Sequence, residues 1–389
     1  MSSAVPEGWQ VSQLGSLATV NWGNTSLTKD SYAKTGFPAY SAAGNDGLVP
    51  NAEHNDVGVV LSAIGARCGR TFLTPKRWTA IKNTITILSD NQDIRFLYQV
   101  FNFNEVWNKS GGAQPFISLG DARKTPILTP PLPEQRKIAS ILTSVDEVIE
   151  NTHRQIDKLQ DLKKATMNEL LTRGIGHTEF KDSELGRIPK SWEVKTIREL
   201  IEKVVDNRGK TPPLSESGRE LIEIASISKD NRFLNYKLSK KKVSENTYHT
   251  WFRNGHPKVG DVLVPTVGLI GQCSIVREER GCIAQNLIGL RSSERLLGEY
   301  LYWVMNSQYV LEEIQRVLMG AVQPSLKVPH LLDASVPLPP LREQQNITKI
   351  LNSIEDNIIE VQEKGLKNQS LKKSLMQDLL TGKVRVSLN

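Results

Sequence analysis

The sequence predicts an α/β (α+β) protein: two mixed globular modules and two long helices that pack together as a coiled coil. Three observations carry this. The chain has 389 residues, too many for one compact core of ordinary size. The stretch "PPLPEQRKIASILTSVDEVIE" from Pro130 returns as "PPLREQQNITKILNSIEDNIIE" from Pro339. Ahead of each copy lies a block rich in short β-branched runs, and those two blocks show no obvious mutual similarity.

The repeat has two registers. Setting Gln114 against Gln323 (323 minus 114, an offset of 209) aligns "GGAQP" with "GAVQP", Glu134-Gln135 with Glu343-Gln344, and "ELLT" with "DLLT", without a gap. Upstream, "VPEGWQVSQLGSL" from Val5 matches "IPKSWEVKTIREL" from Ile188 at an offset of 183 fixed by Trp9 and Trp192 (192 minus 9). The chain therefore reads as constant, divergent, constant, and then the same again.

Taken in order, the first divergent block offers "VGVVLSAIG" from Val57 and "NTITILS" from Asn83 as strands, then "IRFLYQVFNF" from Ile94 as a helix. From Leu132, apolar residues at Ile138, Ile141, Leu142, Val145, Val148, Ile149, Ile156, Leu159 and Leu162 follow the three-and-four spacing of one helical face. The second divergent block gives "GDVLVPTVGLIGQCSIV" and "CIAQNLIGLRS" as paired strands and "GEYLYWVMNSQYVLEEIQRV" as a helix. From Leu341, the apolar face repeats at Ile347, Ile350, Leu351, Ile354, Ile358, Val361 and Leu371. Gly174 and Gly382 follow "LLT" as stops. A helix of about 40 residues is ~60 Å long, and its apolar stripe needs a partner, which the other helix supplies. Thr152, Gln155, Asn357 and Lys364 fall on or beside the stripe, so the seam is imperfect.

Composition sets limits on function. Hydrophobic residues at 39% and charged residues at 23% fit a soluble globular chain rather than a disordered one. No run approaches the roughly 18 apolar residues of a membrane span, and "MSSAVPEGWQVSQLG" has no secretory pattern, so a cytoplasmic protein is expected. Cys68, Cys273 and Cys282 have neither CxxC nor zinc spacing and are expected to be reduced thiols, at least one of them buried. A net charge of +7 permits a polyanionic partner without demanding one. No GxGxxG or GxxxxGK[ST] occurs, the Pro-Pro pairs lack the aromatic ending of an adenine methyltransferase motif, and the six histidines are scattered. Neither a catalytic centre, a cofactor site nor a metal site is expected.

The alternation of divergent modules with matched helices, the "PLPEQRKIASIL" and "PLREQQNITKIL" helix starts, the "LLTRGIG" helix end and the returning "PKSW" resemble the specificity subunit of type I DNA restriction-modification systems. The resemblance spans essentially the whole chain. It implies two target recognition domains, residues 1–131 and, with a connecting segment, 175–340, each reading one half of a bipartite, asymmetric DNA site. It also implies an antiparallel spacer made of helix 132–174 and the C-terminal helix and tail 341–389, related by a pseudo-twofold repeat. Such helices bridge roughly 17 base pairs at most. The implied partners are double-stranded DNA, two modification (methyltransferase) subunits and motor-nuclease restriction subunits. S-adenosylmethionine, ATP and Mg²⁺ would belong to those partners, and this chain would be non-catalytic.

Under that resemblance the candidate DNA contacts are residue types suited to base edges and phosphates. In the first module they are Tyr40, Ser41, Asn45, Arg67, Arg70, Lys76, Arg77 and Lys82, and in the second Arg208, Lys210, Thr211, Lys240, Lys241, Lys242 and Gln272. Gln114 and Gln323 occupy equivalent turns, which favours a structural or phosphate role over base reading, and Trp9 and Trp192 read as packing anchors. The alternative is a stand-alone two-module DNA-binding adaptor outside any restriction complex. An exposed apolar helix face would favour partner docking over that alternative.

Overall fold

The structure, a computed structural model, describes residues 5–103, 105–229, 231–318 and 325–388. It forms two compact units, one holding the chain up to His153 together with the stretch from Lys364 on, the other Arg154–Glu363.

In the first unit, strands β1 (Gln10–Gln13), β2 (Thr19–Trp22), β3 (Phe37–Ser41), β4 (Gly44–Val49), β5 (Val59–Ser62), β6 (Thr71–Leu73), β7 (Thr79–Ala80), β8 (Thr84–Leu88) and β9 (Pro126–Thr129) make three sheets. A four-stranded antiparallel sheet runs β2-β8-β5-β6, and a three-stranded sheet runs β4-β3-β7 with β3 parallel to β7. The β-branched runs read from the sequence become the central strands β5 and β8, buried on both faces: β5 is apolar up to Ser62, and β8 buries Thr84 and Thr86 along with Ile85 and Ile87. The helix Ile94–Phe103 starts where Asp93 Oδ1 accepts the Phe96 amide at 2.9 Å. It sets Phe96, Leu97 and Phe101 into a core with Val59, Leu61, Ile85 and Ile87.

In the second unit, β10 (Phe180–Ser183) and β11 (Gly186–Pro189) form a hairpin, and β12 (Glu193–Thr196) is followed by β13 (Ile201–Asp206), β14 (Arg219–Ile222), β15 (Lys242–Val243), β16 (Val262–Pro265), β17 (Ser274–Ile275), β18 (Gly281–Ile283), β19 (Leu287–Ser292) and β20 (Ser335–Leu338). The sheet orders are β13-β19-β16-β17 and β15-β14-β18, with β14 parallel to β18. Strand for strand this is the topology of the first unit, built from a sequence without visible similarity. The expected pairing of the two β-rich segments is present as β16 against β19 in the four-stranded sheet, while the start of "CIAQNLIGLRS" lies in β18 of the three-stranded one. One expectation is corrected. The long helix from Gly298 is two helices, Gly298–Met305 and Gln308–Leu318, because Asn306 Nδ2 donates to the Tyr302 carbonyl at 2.8 Å and competes with the backbone ladder.

The two long helices are Leu132–Arg173 and Leu341–Leu379. Each unit contains the start of one and the end of the other, so within each unit the pair is antiparallel. In the first unit Ile138, Ala139 and Leu142 share a core with Met376, Leu379 and Leu380, and Lys372 Nζ meets Asp146 Oδ1 at 2.6 Å. In the second, Leu170 and Leu171 share a core with Ile347 and Leu351, and Lys163 Nζ reaches Glu355 Oε1 at 3.4 Å. Both ion pairs obey the 209 offset (372 minus 163; 355 minus 146). The polar seam position Thr152 is buried and satisfies its hydroxyl on the Val148 carbonyl at 2.7 Å. Gly174 (φ 66°) and Gly382 (φ 70°) end the helical runs in the left-handed region. A Cβ on Gly174 would lie 2.5 Å from Glu343 Oε1, and one on Gly382 would lie 2.5 Å from Pro6.

Candidate nucleic-acid interface

Each module is fixed to a helix start by the same few atoms. Trp9 Nε1 donates to Glu134 Oε2 at 3.2 Å, and Trp192 Nε1 donates to Glu343 Oε2 at 2.9 Å. Beside each glutamate a buried glutamine spans two elements. Gln135 donates to the Pro130 carbonyl at 2.8 Å and accepts from the Asp93 amide at 3.0 Å; Gln344 donates to the Pro339 carbonyl at 2.9 Å and accepts from the Leu297 amide at 2.9 Å. The strand pairs β1·β9 and β12·β20 hold both sequence offsets at once, since Gln10 faces Thr129 and Glu193 faces Leu338 (193 minus 10 is 183; 338 minus 129 is 209). The segment that follows the other helix closes the site: Arg385 chelates Glu134 at 2.7 and 2.8 Å, while His177 Nε2 meets Glu343 Oε1 at 2.7 Å. The duplicated Glu-Gln is thus an anchor, and the tryptophans are packing residues.

Held this way, the sheets present their connecting loops. In the first unit a hollow of about 400 Å³ is lined by Lys29, Ser41, Ala43, Arg67, Lys82 and Asn83, which brings together three of the sequence candidates. Arg67 Nη1 donates to the Ala43 carbonyl at 3.0 Å, and the Lys82 side chain is exposed. Ser41 is buried, and its hydroxyl donates to Asp46 at 2.7 Å. Burial works against the Asp46 charge, but hydrogen bonds from Lys29, Tyr32 and Ser41 outweigh it and hold the carboxyl below its ordinary range. Tyr40 is buried edge-on against Trp78 with its hydroxyl 3.4 Å from the Leu73 carbonyl, a core placement. Asn45, Arg70, Lys76 and Gln114 are exposed; Arg77 is exposed too and lies over the Phe37 ring at 4.0 Å.

In the second unit Arg208 pairs with Asp206 through two hydrogen bonds, at 2.8 and 2.6 Å, and Lys210 is exposed beside it. Burial raises the Asp206 pKa, but the Arg208 contacts lower it further and keep the group ionised. Thr211 Oγ1 donates to Gln285 Oε1 at 3.3 Å. Lys240 is exposed, Lys241 Nζ pairs with Glu223 at 2.7 Å, and Lys242 lies half-buried in β15. Gln272 is half-buried with its Oε1 unpartnered. Gln323 lies outside the described residues.

Among the described residues no group of three or more His, Cys, Asp or Glu is placed to hold a metal, and no helix is long and apolar enough to cross a membrane. All three cysteines are buried free thiols, as expected.

The model for the type I restriction modification DNA specificity domain matches twice, at residues 6–161 and 189–370. The chain belongs to that family. Among curated relatives, this specificity-domain protein is similar to the type I restriction enzyme MjaVIII specificity subunit of Methanocaldococcus jannaschii, 28% identical over 407 aligned positions covering 98% of this chain and 94% of the relative. It is also similar to the type I restriction enzyme EcoBI specificity subunit of Escherichia coli, 24% identical over 62% of this chain and 54% of that one. The crystal structure of a type I restriction-modification system S subunit from M. genitalium has the same fold, with a TM-score of 0.66 at 15% identity over 97% of both chains. A chain from a structure describing complex assembly and conformational transition of the type I R-M system aligns at TM-score 0.55 and 16% identity, over 98% of this chain and 100% of that one.

Sequence reasoning missed Lys29, which lines the hollow, and Gln285, which takes Thr211. Their signal was faint. Only the asparagine shared by "AIKN" ending at Asn83 and "IAQN" ending at Asn286 marks the two loops as counterparts.

Proposed function

We propose that this specificity-family chain is the non-catalytic DNA reader of a type I restriction-modification complex. One observation carries the reading: the same seven-strand module is built twice and anchored by the same Trp, Glu and Gln set, while the side chains on its loops differ between copies. Two modules of one fold with different loop chemistry suit a bipartite, asymmetric duplex site, because linking two weak readers multiplies their affinity when their span is fixed. Charge on the loops supplies phosphate attraction, and Lys, Arg, Asn and Gln supply base contacts. Within the sequence candidates, exposure favours Asn45, Arg67, Arg70, Lys76, Arg77, Lys82, Lys210 and Lys240 over the buried Tyr40 and Ser41.

Partner docking is supported by apolar residues left outward on the long helices. Leu162 and Leu371, counterparts at the 209 offset, are 50% and 52% exposed, and Val148 and Leu366 on the first unit's helix pair are 46% and 67% exposed. We assign these faces to two modification subunits, with motor-nuclease subunits joining them. S-adenosylmethionine, ATP and Mg²⁺ then reside in those partners, and the assembly works in the cytoplasm. The test is single-molecule mapping of N6-methyladenine in cells expressing this chain with its modification subunit, against cells expressing that subunit alone. A new two-part motif that needs both proteins is expected; its absence, with both proteins co-purifying, would refute DNA reading.

A further inference from the structure

The two copies of the module act as an internal control: what is identical at equivalent positions serves the shared framework, and what differs serves one copy alone. We infer that Lys82 and Gln285 are paired specificity-determining residues, each reading one base of its own half-site. The inference rests on the DNA-reading function proposed above and goes beyond it by naming the positions.

Topology makes these two residues equivalent. In the first unit the chain leaves β7 for β8 through Ile81-Lys82-Asn83; in the second it leaves β18 for β19 through Ala284-Gln285-Asn286. On the entry side the Ile81 amide donates to the Tyr40 carbonyl at 2.9 Å, and the Ala284 amide donates to the Ile222 carbonyl at 2.8 Å. On the exit side the Asn83 carbonyl accepts from the Ala63 amide at 3.1 Å, and the Asn286 carbonyl accepts from the Thr266 amide at 2.9 Å. Those supporting loops are themselves matched: Ile117 donates to Ala63 at 2.8 Å, and Leu326 donates to Thr266 at 2.8 Å, again 209 apart (326 minus 117). Each middle residue is therefore held by backbone bonds before and after it, on a turn joining two sheets. Its side chain is free to vary without disturbing the frame.

The flanking asparagine is constant, and the middle residue is not. Lys82 is exposed, and among the described residues its ammonium has no hydrogen-bond or ion-pair partner. Gln285 is half-buried and accepts from Thr211, which fixes its carboxamide. The two side chains have different hydrogen-bonding valence. An ammonium only donates and suits guanine O6 and N7; a carboxamide donates and accepts and suits adenine N6 and N7. Lys82 thus calls for guanine in one half-site and Gln285 for adenine in the other.

The test is the same methylation map, made with the full chain and its modification subunit, for wild type, Lys82→Gln and Gln285→Lys. Lys82→Gln is expected to change one base of one half-motif, from guanine toward adenine, and to lower methylation of the original site on the order of tenfold or more. Gln285→Lys should do the reverse in the other half. The unchanged half reports that each variant is folded and assembled. A wild-type motif that both variants leave intact would overturn the inference while leaving DNA reading standing. So would a loss spread evenly over all sequences with Lys82→Gln, since that marks a phosphate contact, and so would loss of both halves at once, since that marks a framework role. No motif from wild type would instead overturn the DNA-reading function itself.

Discussion

Replacing Arg232 by methionine should loosen the second unit far more than the matching change loosens the first. Glu355 on the second long helix is 1% exposed, and Arg232 supplies it with a backbone N–H at 3.2 Å and Nη1 at 3.1 Å. The same guanidinium also grips Asp356 at 2.7 and 3.2 Å. Burial pulls the Arg232 pKa down, but the bonds to Asp356 and Glu355 outweigh it, so the charge stays. With methionine, Glu355 keeps the Arg232 backbone N–H, Lys163 Nζ and the Tyr302 hydroxyl, the last two at 3.4 Å, so the buried carboxylate is left with only the longer of its two ion pairs. Breaking such a pair costs about 3–5 kcal/mol. The first-unit counterpart of Glu355 is Asp146, whose side chain is 34% exposed and which keeps Lys372 at 2.6 Å; removing its Gln99 partner by Gln99→Met costs about 1 kcal/mol. Hydrogen exchange read by mass spectrometry on Gly298–Met305 and on Ile94–Phe103 separates the units. Arg232→Met should speed exchange in the former on the order of 10²–10⁴-fold, and adding Glu355→Gln should recover part of it. Equal, small effects of Arg232→Met and Gln99→Met would mean that Glu355 is solvated and that this reasoning is wrong.

Trp192→Phe, which strips the indole donor from Glu343, should cost the second unit about 2 kcal/mol in urea unfolding, whereas Trp9→Phe should cost less because Arg385 still chelates Glu134. Burial pushes the Cys273 and Cys282 thiols up to about 12 and also raises Cys68, so a thiol reagent at pH 8 should label none of them rapidly in the native chain and all three in denaturant. Asp46, depressed in the fold from an ordinary 3.8, contributes stability that is present above that value and lost as pH falls through its lower native pKa. Exchange protection of Gly44–Val49 should therefore stay flat from pH 7 to 5 and fall below about pH 3.8, a drop that Asp46→Asn removes.

The long helices were legible in the sequence because a helix writes its packing into local spacing. Apolar residues at three-and-four intervals, a Pro-rich start and a glycine stop are enough to bound Leu132–Arg173 and Leu341–Leu379 to within a few residues. The repeat added that the chain holds one design twice, since a duplicated Trp and Glu-Gln need no alignment beyond the chain itself. The central strands β5 and β8 were legible for the same reason, as short β-branched runs. Strands β3, β4, β14 and β15 were not, because "FPAYS" or "RELI" carries no periodicity that distinguishes a short strand from a loop.

Sheet order and side-chain partnership depended on the tertiary structure alone. Nothing local announces that β3 lies parallel to β7, or that "CIAQNLIGLRS" is divided between two sheets, since pairing is a contact between residues far apart along the chain. The buried Glu355 looked like any solvated helix charge, for its partner Arg232 lies 123 residues away. The candidate site divides along the same line. Residue type alone put Tyr40 and Ser41 beside Arg67 and Lys82 as contacts, but burial, which a sequence does not state, sends Tyr40 into the core and ties Ser41 to Asp46. The equivalence of Lys82 and Gln285 emerges only when matching backbone hydrogen bonds overlay two loops whose sequences share a single asparagine.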